Sequence, residues 1–316
     1  MVLTELRGQV HECGDGRAPH YVYGGGTGCP VMDADEAVFH TIDEYSRMAE
    51  AYDRHIRPRF EPIAQRLVEL LDPKEGEKVL DIGAGTGNAT LPIASRVGPS
   101  GLVAAIDASD GQLRVLQSRA SDAGLSHIHA ETMNADHILY PRGAFHAVVS
   151  NLGVPALRWR QTLGEAFRVL RDGGRLVLAQ WDGIAEWQRV YAEAQKPHQT
   201  PTPSPRLTQL REASAALNDC PDRDELFDPE HVKVALTKMG FTRLQTVRET
   251  FRPGFASLDA FLEFRTAWGY SEMEWREMAQ AERAAFQREV EQGFRRVFGG
   301  VEALDFKIFF TTAWRE

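Results

Sequence analysis

Cysteine is scarce in this chain, with three among 316 residues and no CxxC pair. Cys13, Cys29 and Cys220 are too few and too scattered for the disulfide framework of a small secreted domain. No apolar run approaches the roughly 20 residues that a membrane-spanning helix needs. The first residues also lack the basic and apolar stretches of a secretory signal. These absences predict a reduced, cytoplasmic protein without a membrane span.

Basic residues are in the minority. Lys and Arg number 36 against 45 Asp and Glu, which gives a formal net charge of −9, and no stretch concentrates the basic residues. Binding to nucleic acid depends on Lys and Arg that neutralise phosphates, so we expect no nucleic-acid partner. The missing basic cluster also argues against a phosphate-rich substrate. For the assembly of the chain, a homodimer is one of the states that we consider.

A disordered or fibrous composition is absent too, because 43% of the residues are hydrophobic and 26% are charged. From about residue 73, short apolar stretches alternate with amphipathic helical stretches. The candidate strands are 78–82, 102–107, 128–131, 145–150, 175–181, 241–251 and 304–310, and the candidate helices are 88–97, 110–123, 155–171 and 229–239. Strands separated by helices need crossover connections, which favours an α/β domain with a doubly wound, mostly parallel sheet.

Other segments interrupt this alternation. Pro62 is expected in the first turn of a helix that precedes the core. Three prolines in residues 198–205 favour a loop, and Ser271 with Glu274 forms a capping box that predicts one long helix to about Phe298. The expected segments are an extension (1–38), a helical cap (39–72), an α/β core (73–181, 229–251 and 301–316) and two lid-forming insertions (182–228 and 252–300).

A glycine-rich turn follows the first candidate strand, in the sequence VLDIGAGTGN of residues 79–88. Its glycines allow a sharp bend and a close approach of a ligand to the backbone. Ligands of open α/β sheets bind at the carboxyl ends of the strands. A dinucleotide fingerprint would need glycine at Asn88, and no phosphate-binding G-K-[ST] follows. The Asp81 carboxylate would repel a pyrophosphate but suits an ammonium or sulfonium ligand, although an ordinary tight turn is the alternative.

In this stretch the chain resembles the class I S-adenosylmethionine-dependent methyltransferases, especially those of ubiquinone and menaquinone biosynthesis. The resemblance runs from about Tyr45 to Trp181 and more weakly through 241–251. It also includes Asp107 at the end of the second strand, the sequence NAD at 134–136, the sequence VVSNLG at 148–153 and a helix–turn–strand segment at 165–178. Asp172 stands where proline is more usual in that segment, a change that a tight turn accepts.

The resemblance implies a seven-stranded, Rossmann-like methyltransferase fold with S-adenosyl-L-methionine as cofactor. Asp107 would accept hydrogen bonds from both ribose hydroxyls, Asp136 from the adenine amino group, and Asn151 would lie beside the methionine moiety. Without the resemblance, each is an ordinary strand-end or loop residue. The full set of implied cofactor residues in the core is Asp81, Gly83, Ala84, Gly85, Gly87, Asp107, Ala108, Leu113, Ala135, Asp136, Asn151 and Leu152.

Tyr45 and Tyr52 lie in the helical cap, which in the resembled group folds over the cofactor. An aromatic face near a sulfonium gains cation–π attraction. Aromatic residues at helical spacing equally indicate packing against the sheet. Both interpretations stay open.

Aromatic residues are also abundant around the second insertion. Trp181, Phe255, Phe264 and Trp268 are candidates for a hydrophobic roof over an organic acceptor, or for the core of the insertion itself. His55, His137, Asp182, His198 and His231 are candidates for a general base, and the sequence does not choose among them. We expect no metal site, because His127 and His129 lack further ligands and the His and Cys residues before residue 30 match no zinc pattern.

The sequence therefore predicts an enzyme, an S-adenosylmethionine-dependent methyltransferase that acts on O, N or C of a small, largely apolar metabolite in biosynthesis, for example in specialised metabolism. Two alternatives stay open. One is methylation of RNA or protein, which the charge disfavours. The other is a cyclase-like or regulatory derivative of the fold that binds the cofactor without transferring a methyl group.

Overall fold

A computed structural model describes residues 32–218, 220–267 and 270–316. Its centre is one seven-stranded sheet with the strand order β3-β2-β1-β4-β5-β7-β6. The strands are β1 (Lys78–Ile82), β2 (Leu102–Asp107), β3 (Ile128–Thr132), β4 (Phe145–Asn151), β5 (Leu170–Trp181), β6 (Phe241–Phe251) and β7 (Phe306–Arg315). The first five run parallel, whereas β7 is antiparallel to both β5 and β6. This arrangement confirms the predicted mostly parallel sheet of seven strands.

Helices cover both faces of the sheet. The core helices are α4 (Thr90–Val97), α5 (Asp110–Asp122), α6 (Trp159–Val169) and α10 (Pro229–Met239). Successive residues of a strand point to opposite faces, and Val79 and Leu80 of β1 accordingly belong to different apolar clusters, both fully buried. Helix α10 ends at Gly240, whose φ of 102° is the left-handed conformation that favours glycine at this position.

The N-terminal helices differ from the prediction in the place of Pro62. They are α1 (Ala34–Arg47), α2 (Ala49–Ala51), a π-helix (Tyr52–Ile56) and α3 (Arg57–Leu71). Helix α1 starts after Asp33, whose side chain accepts a hydrogen bond from the Glu36 amide. Pro62 lies inside α3 and not in its first turn, so that expectation was wrong. The site is exposed, so water can replace the hydrogen bond that the proline cannot make.

The two insertions are helical. The first contains α7 (Glu186–Gln195), α8 (Pro205–Asn218) and α9 (Pro221–Leu226), and the second α11 (Leu258–Thr266), α12 (Ser271–Glu277) and α13 (Gln280–Phe298). The predicted single helix to Phe298 is therefore two helices. The predicted capping box was also wrong, because Ser271 Oγ is buried without a hydrogen-bond partner. Glu274 instead forms a buried ion pair with Arg211 of α8.

Both insertions pack on α3 and β7 through a cluster of aromatic side chains. Neighbouring ring centroids lie 4.9 to 6.3 Å apart. The members are Phe60, Trp181, Trp187, Tyr191, Phe255, Phe261, Phe264, Phe286, Phe294 and Phe306. In the described part of the chain no helix is both long enough and apolar enough to cross a bilayer.

His198 connects the first insertion to α13. Its Nδ1 lies 2.5 Å from Glu282 Oε2 and its Nε2 lies 3.1 Å from Glu289 Oε1. The hydrogen bond with Glu282 is the main reason that the pKa of His198 is raised, and burial opposes it. The protonated imidazole therefore stabilises the contact between the two insertions.

We expect His198→Ala to reduce the free energy of unfolding more at pH 6 than at pH 9. The unfolded imidazole titrates near pH 6.5. Because the folded pKa is raised, the stabilisation that His198 contributes is fully present below the unfolded pKa. It is lost as the pH rises through the folded pKa. Urea denaturation of both proteins at the two pH values measures the difference. His231→Ala, at an exposed surface histidine, is the control. Equal losses at both pH values would contradict this role.

Candidate functional site

The glycine turn after β1 touches the loop after β4. The amides of Gly83 and Ala84 both donate to the carbonyl of Ile106, at 2.9 and 3.0 Å, which bends the chain away from the sheet. Gly83 has a φ of 66°, and a Cβ atom there would lie 2.5 Å from the carbonyl oxygen of Gly153. A side chain at Gly83 would therefore force the two loops apart.

Asp81 is a buried carboxylate at the end of β1. Its Oδ2 accepts a 2.6 Å hydrogen bond from Thr90 Oγ1, whereas its buried Oδ1 has no hydrogen-bond partner in the structure. Burial raises the pKa of Asp81 to about 7, the hydrogen bond from Thr90 lowers it, and the charge of Asp107 adds to the increase. A carboxylate with one open, buried oxygen is suited to an ammonium group, which would supply the missing hydrogen bond.

Asp107 ends β2 beside the same turn. Its Oδ2 accepts from the Gly85 amide at 2.9 Å, and its Oδ1 accepts from the Ser109 amide at 2.8 Å. Burial raises its pKa, and these backbone hydrogen bonds oppose the increase. A carboxylate offers about four lone-pair positions, so each oxygen can still accept from one hydroxyl of a diol. The backbone bonds hold the carboxylate in one orientation for this purpose.

A small cavity of about 30 Å³ lies between the glycine turn and the helical cap. Besides Asp81, two of its lining residues carry a buried oxygen without a hydrogen-bond partner, Asn151 Oδ1 and Thr86 Oγ1. Its lining residues are Tyr52, Phe60, Asp81, Gly83, Ala84, Gly85, Thr86, Asn88, Ala89 and Asn151. The volume is about that of one water molecule, so a larger ligand group requires the cap to move.

The cap presents Tyr52 to this cavity. The rings of Tyr45 and Tyr52 meet edge to face with centroids 6.2 Å apart. Burial is the main cause of a strongly raised Tyr52 pKa, and the nearby Tyr45 and Asp107 add to it. The carbonyl of Tyr45 accepts from Gln112 Nε2 at 3.2 Å. Packing of the two rings is therefore observed, and contact with a sulfonium stays a prediction.

The other cofactor candidates surround the turn. Leu113 is buried in a small apolar cluster with Ala84, and Ala108 follows Asp107 directly in a half-buried position. Leu152 has a φ of 59°, unusual for a residue with a side chain, which marks a constrained loop. Ala135 packs at the margin of the second core cluster, Asp136 pairs with Arg158 at 3.2 Å, and Gly87 has a φ of 90°.

The aromatic candidates for an acceptor site lie in the aromatic cluster. Phe255 and Phe264 are 1% exposed, so in this conformation they form the core of the insertion. Phe60 lines the cavity and meets Trp181 with ring centroids 5.9 Å apart. The cluster thus begins at the cavity wall, and a role in acceptor binding stays a prediction. Trp268 lies outside the described residues.

The five candidates for a general base are dispersed. His137 and His231 are exposed, and His198 holds two glutamates of α13. His55 lies 3.5 Å from Glu263, and Asp182 pairs with Arg248 at 3.1 Å. Among the described residues that line the cavity, none of these five occurs, so the geometry brings no candidate base to it.

Several site residues were not predicted. Thr86 and Asn88 lie within the glycine motif, and Thr90 follows it, but the motif is defined by its glycines and acid. Phe60 reaches the cavity from α3, 18 residues before the start of β1, and Arg119 contacts the turn from α5. Only the tertiary packing of these helices brings them to the site, so no local pattern could have shown them.

Comparison with known proteins agrees with this geometry. Residues 79–174, from β1 into the start of β5, match a family model described as a methyltransferase domain. This part of the α/β core is therefore similar to a methyltransferase domain. Asp81, the glycine turn, Asp107, Asp136 and Asn151 all lie within the matched region of this domain, which confirms the family that the sequence motifs indicated. The helical cap and both insertions lie outside it.

Individual relatives of the methyltransferase domain are similar over the same part of the chain. The nocamycin O-methyltransferase of Saccharothrix syringae is 32% identical over 42% of this chain and 48% of its own length. The ubiquinone/menaquinone biosynthesis C-methyltransferase of Blochmanniella floridana is 32% identical over 36% and 46%. The chain thus spans about half the length of these curated relatives. A Bacillus halodurans protein, solved as a candidate methyltransferase, shares the fold with a TM-score of 0.50 and 16% identity over 80% of this chain and 98% of its own.

Proposed function

We propose that this chain is an S-adenosylmethionine-dependent methyltransferase that acts on a small, largely apolar molecule. The observation that carries the proposal is the buried Asp81 carboxylate, whose Oδ1 has no hydrogen-bond partner, directly beside the glycine turn. A buried charge normally has a partner. The ammonium group of S-adenosylmethionine can be this partner, whereas the Asp81 carboxylate would repel the pyrophosphate of a dinucleotide.

The residues of the domain fit the rest of this cofactor. Asp107 would accept from both ribose hydroxyls, with its carboxylate oriented by the amides of Gly85 and Ser109. Leu113 would pack on the adenine and Asp136 would accept from its amino group, and Asn151 would lie beside the methionine moiety. When bound, the cofactor supplies a methyl group on a positively charged sulfur, which is already activated as a leaving group.

The chain's own contribution is to align the reacting groups and to exclude water. Alignment alone can contribute roughly 7–11 kcal/mol in favourable cases. Tyr52, Phe60 and the aromatic cluster behind Phe60 form an apolar wall on the cap side of the site. Such a wall suits an apolar acceptor and keeps water from the sulfonium. If the acceptor is already nucleophilic, the reaction needs no general base from the described residues that line the cavity.

The proposed class of acceptor rests on the relatives and on the charge of the chain. The relatives are named for a natural product and for quinone biosynthesis, and we extend an acceptor of this kind, in specialised metabolism, to this chain. The net charge of −9 supports a small molecule over a nucleic acid. The three scattered cysteines support a reducing cytoplasm. A homodimer is part of the proposal that sedimentation would test.

We expect Asp107→Ala to weaken binding of S-adenosylmethionine and S-adenosylhomocysteine at least roughly 100-fold. Two hydrogen bonds to a charged group contribute about 1.5–3 kcal/mol each. Calorimetric titration measures the affinities, and Asp110→Ala, three residues along on the exposed start of α5, is the control. Unchanged affinity in Asp107→Ala would overturn the assignment. A labelled-methyl assay on a metabolite panel then separates methyl transfer from binding without transfer.

A further inference from the structure

The helical cap changes its hydrogen-bond register next to the site. Residues Tyr52–Ile56 form a π-helix between α2 and α3. Neither glycine nor proline lies within this segment, but Pro58 follows it at the start of α3 and has no backbone N–H to donate to the carbonyl of Arg54. Short π segments within helices occur frequently at functional sites. The segment places Tyr52 at the cavity and Asp53 against a cation of α5.

That cation is Arg119. Its Nη1 donates a 2.5 Å hydrogen bond to the carbonyl oxygen of Thr86 in the glycine turn and lies 3.4 Å from Asp53 Oδ1. Arg57 Nε lies 2.9 Å from the same oxygen, which is buried and makes no hydrogen bond of good geometry. Asp53 is thus held by the charges of two arginines, of which only Arg119 also contacts the turn through its side chain.

A second link runs beside the first. Asn88 Nδ2 donates to the carbonyl oxygen of Arg57 at 3.1 Å. Cap residues Asp53 and Arg57 are therefore connected to Thr86 and Asn88 of the glycine turn. Because the cavity has the volume of about one water molecule, a larger ligand group requires this part of the cap to move away.

We propose that Arg119 is a positioning residue that latches the cap over the cofactor through Asp53. The latch rests on the proposed function, because a bound nucleoside is what it retains. An interaction that holds the cap closed both with and without ligand slows entry and release alike and changes the equilibrium affinity little. This kinetic pattern distinguishes a latch from a direct contact with the cofactor.

The test is the kinetics of S-adenosylhomocysteine binding to the immobilised full chain, followed by surface plasmon resonance. We expect Arg119→Gln and Asp53→Asn each to raise the association and the dissociation rate constants roughly tenfold, with Kd changed less than about threefold. The double variant should match a single variant because both remove one interaction. Arg119→Lys should recover part of the effect. Arg114→Gln, on the same helix and paired with the exposed Asp110, should resemble the wild type.

Two results would overturn the latch. One is rate constants for Arg119→Gln equal to those of the wild type. The other is a large increase in Kd with no increase in the association rate constant, which would indicate a static contact. Hydrogen exchange in the ligand-free proteins provides a test that needs no cofactor, because amides of residues 49–57 should exchange faster in Arg119→Gln than in Arg114→Gln. If the wild type binds no S-adenosylhomocysteine, the proposed function fails, whereas equal exchange in both variants removes the latch alone.

Discussion

Replacing Asp81 with asparagine is expected to stabilise the free protein at pH 8 by up to about 4 kcal/mol. The pKa of this carboxyl is about 7 in the folded protein, against an ordinary value of 3.8. Each pKa unit corresponds to about 1.36 kcal/mol. Between about pH 4 and pH 7 folding therefore takes up a proton, and the stability of the wild type falls as the pH rises through that window. Asparagine has no charge to bury and keeps an oxygen that can accept from Thr90.

Urea denaturation of the wild type and of Asp81→Asn at pH 5 and pH 8 measures this effect. The stability difference between the two proteins should be larger at pH 8. Asp122→Asn, at an exposed position near the end of α5, is the control and should show no such change. A difference for Asp81→Asn that is the same at both pH values would mean that this carboxylate is not the source of the pH dependence.

The same substitution should weaken binding of S-adenosylmethionine at pH 8 roughly 10- to 100-fold, because the charged hydrogen bond to the ammonium group is lost. For the wild type, affinity should rise between pH 6 and pH 8 as Asp81 loses its proton. Greater stability with weaker binding is the signature expected of a carboxylate kept charged for a ligand. If the asparagine variant binds as tightly as the wild type, Asp81 does not contact the cofactor.

Arg211→Met should destabilise the protein by about 3–5 kcal/mol, because it leaves a buried carboxylate without its counter-charge. Arg211 Nε lies 2.6 Å from Glu274 Oε1 and its Nη2 lies 2.9 Å from Oε2, and Glu274 is 0% exposed. The remaining donor to Glu274, Gln199 Nε2, lies 3.3 Å away. The loss should therefore appear as a lower urea midpoint and a lower Tm.

A second substitution separates loss of charge balance from loss of packing. In the double variant Arg211→Met with Glu274→Gln the buried group is neutral, so the loss of stability should be smaller than in Arg211→Met alone. Arg295→Met, which breaks an exposed pair with Glu291 on α13, should cost less than about 1 kcal/mol. A double variant no more stable than the single one would show that packing, and not the charge, is responsible.

The sheet could be predicted because its strands carry their own signals. β1 is an apolar run that ends at the glycine turn, and β2 is an apolar run that ends at Asp107. The alternation of strands with helices predicted that most of these strands run parallel. The helix predicted over 271–298 failed for a nonlocal reason. Glu274 has the right spacing from Ser271 for a capping box, but Arg211, 63 residues earlier, takes its carboxylate.

The residues of the site fall into the same two groups, those that a local motif marks and those that only tertiary packing brings together. Asp81, Gly83 and Asp107 were predicted because a short motif and its spacing mark them. Phe60 and Arg119 reach the turn only through packing of α3 and α5, and the π-helix at Tyr52–Ile56 has no pattern of its own. The ion pairs that connect the cap and the insertions to the core are likewise formed between residues far apart in the chain, which periodicity cannot show.

The position of β7 has a consequence for biosynthesis. This strand follows every other described element, yet it lies between β5 and β6 and is hydrogen-bonded to both. Until residues 306–315 have left the ribosome, β6 has no partner in the sheet and the edge of β5 is open. Unpaired strand edges promote association between chains. A nascent chain therefore has two unpaired strand edges, one on β5 and one on β6, until residues 306–315 take their place between them.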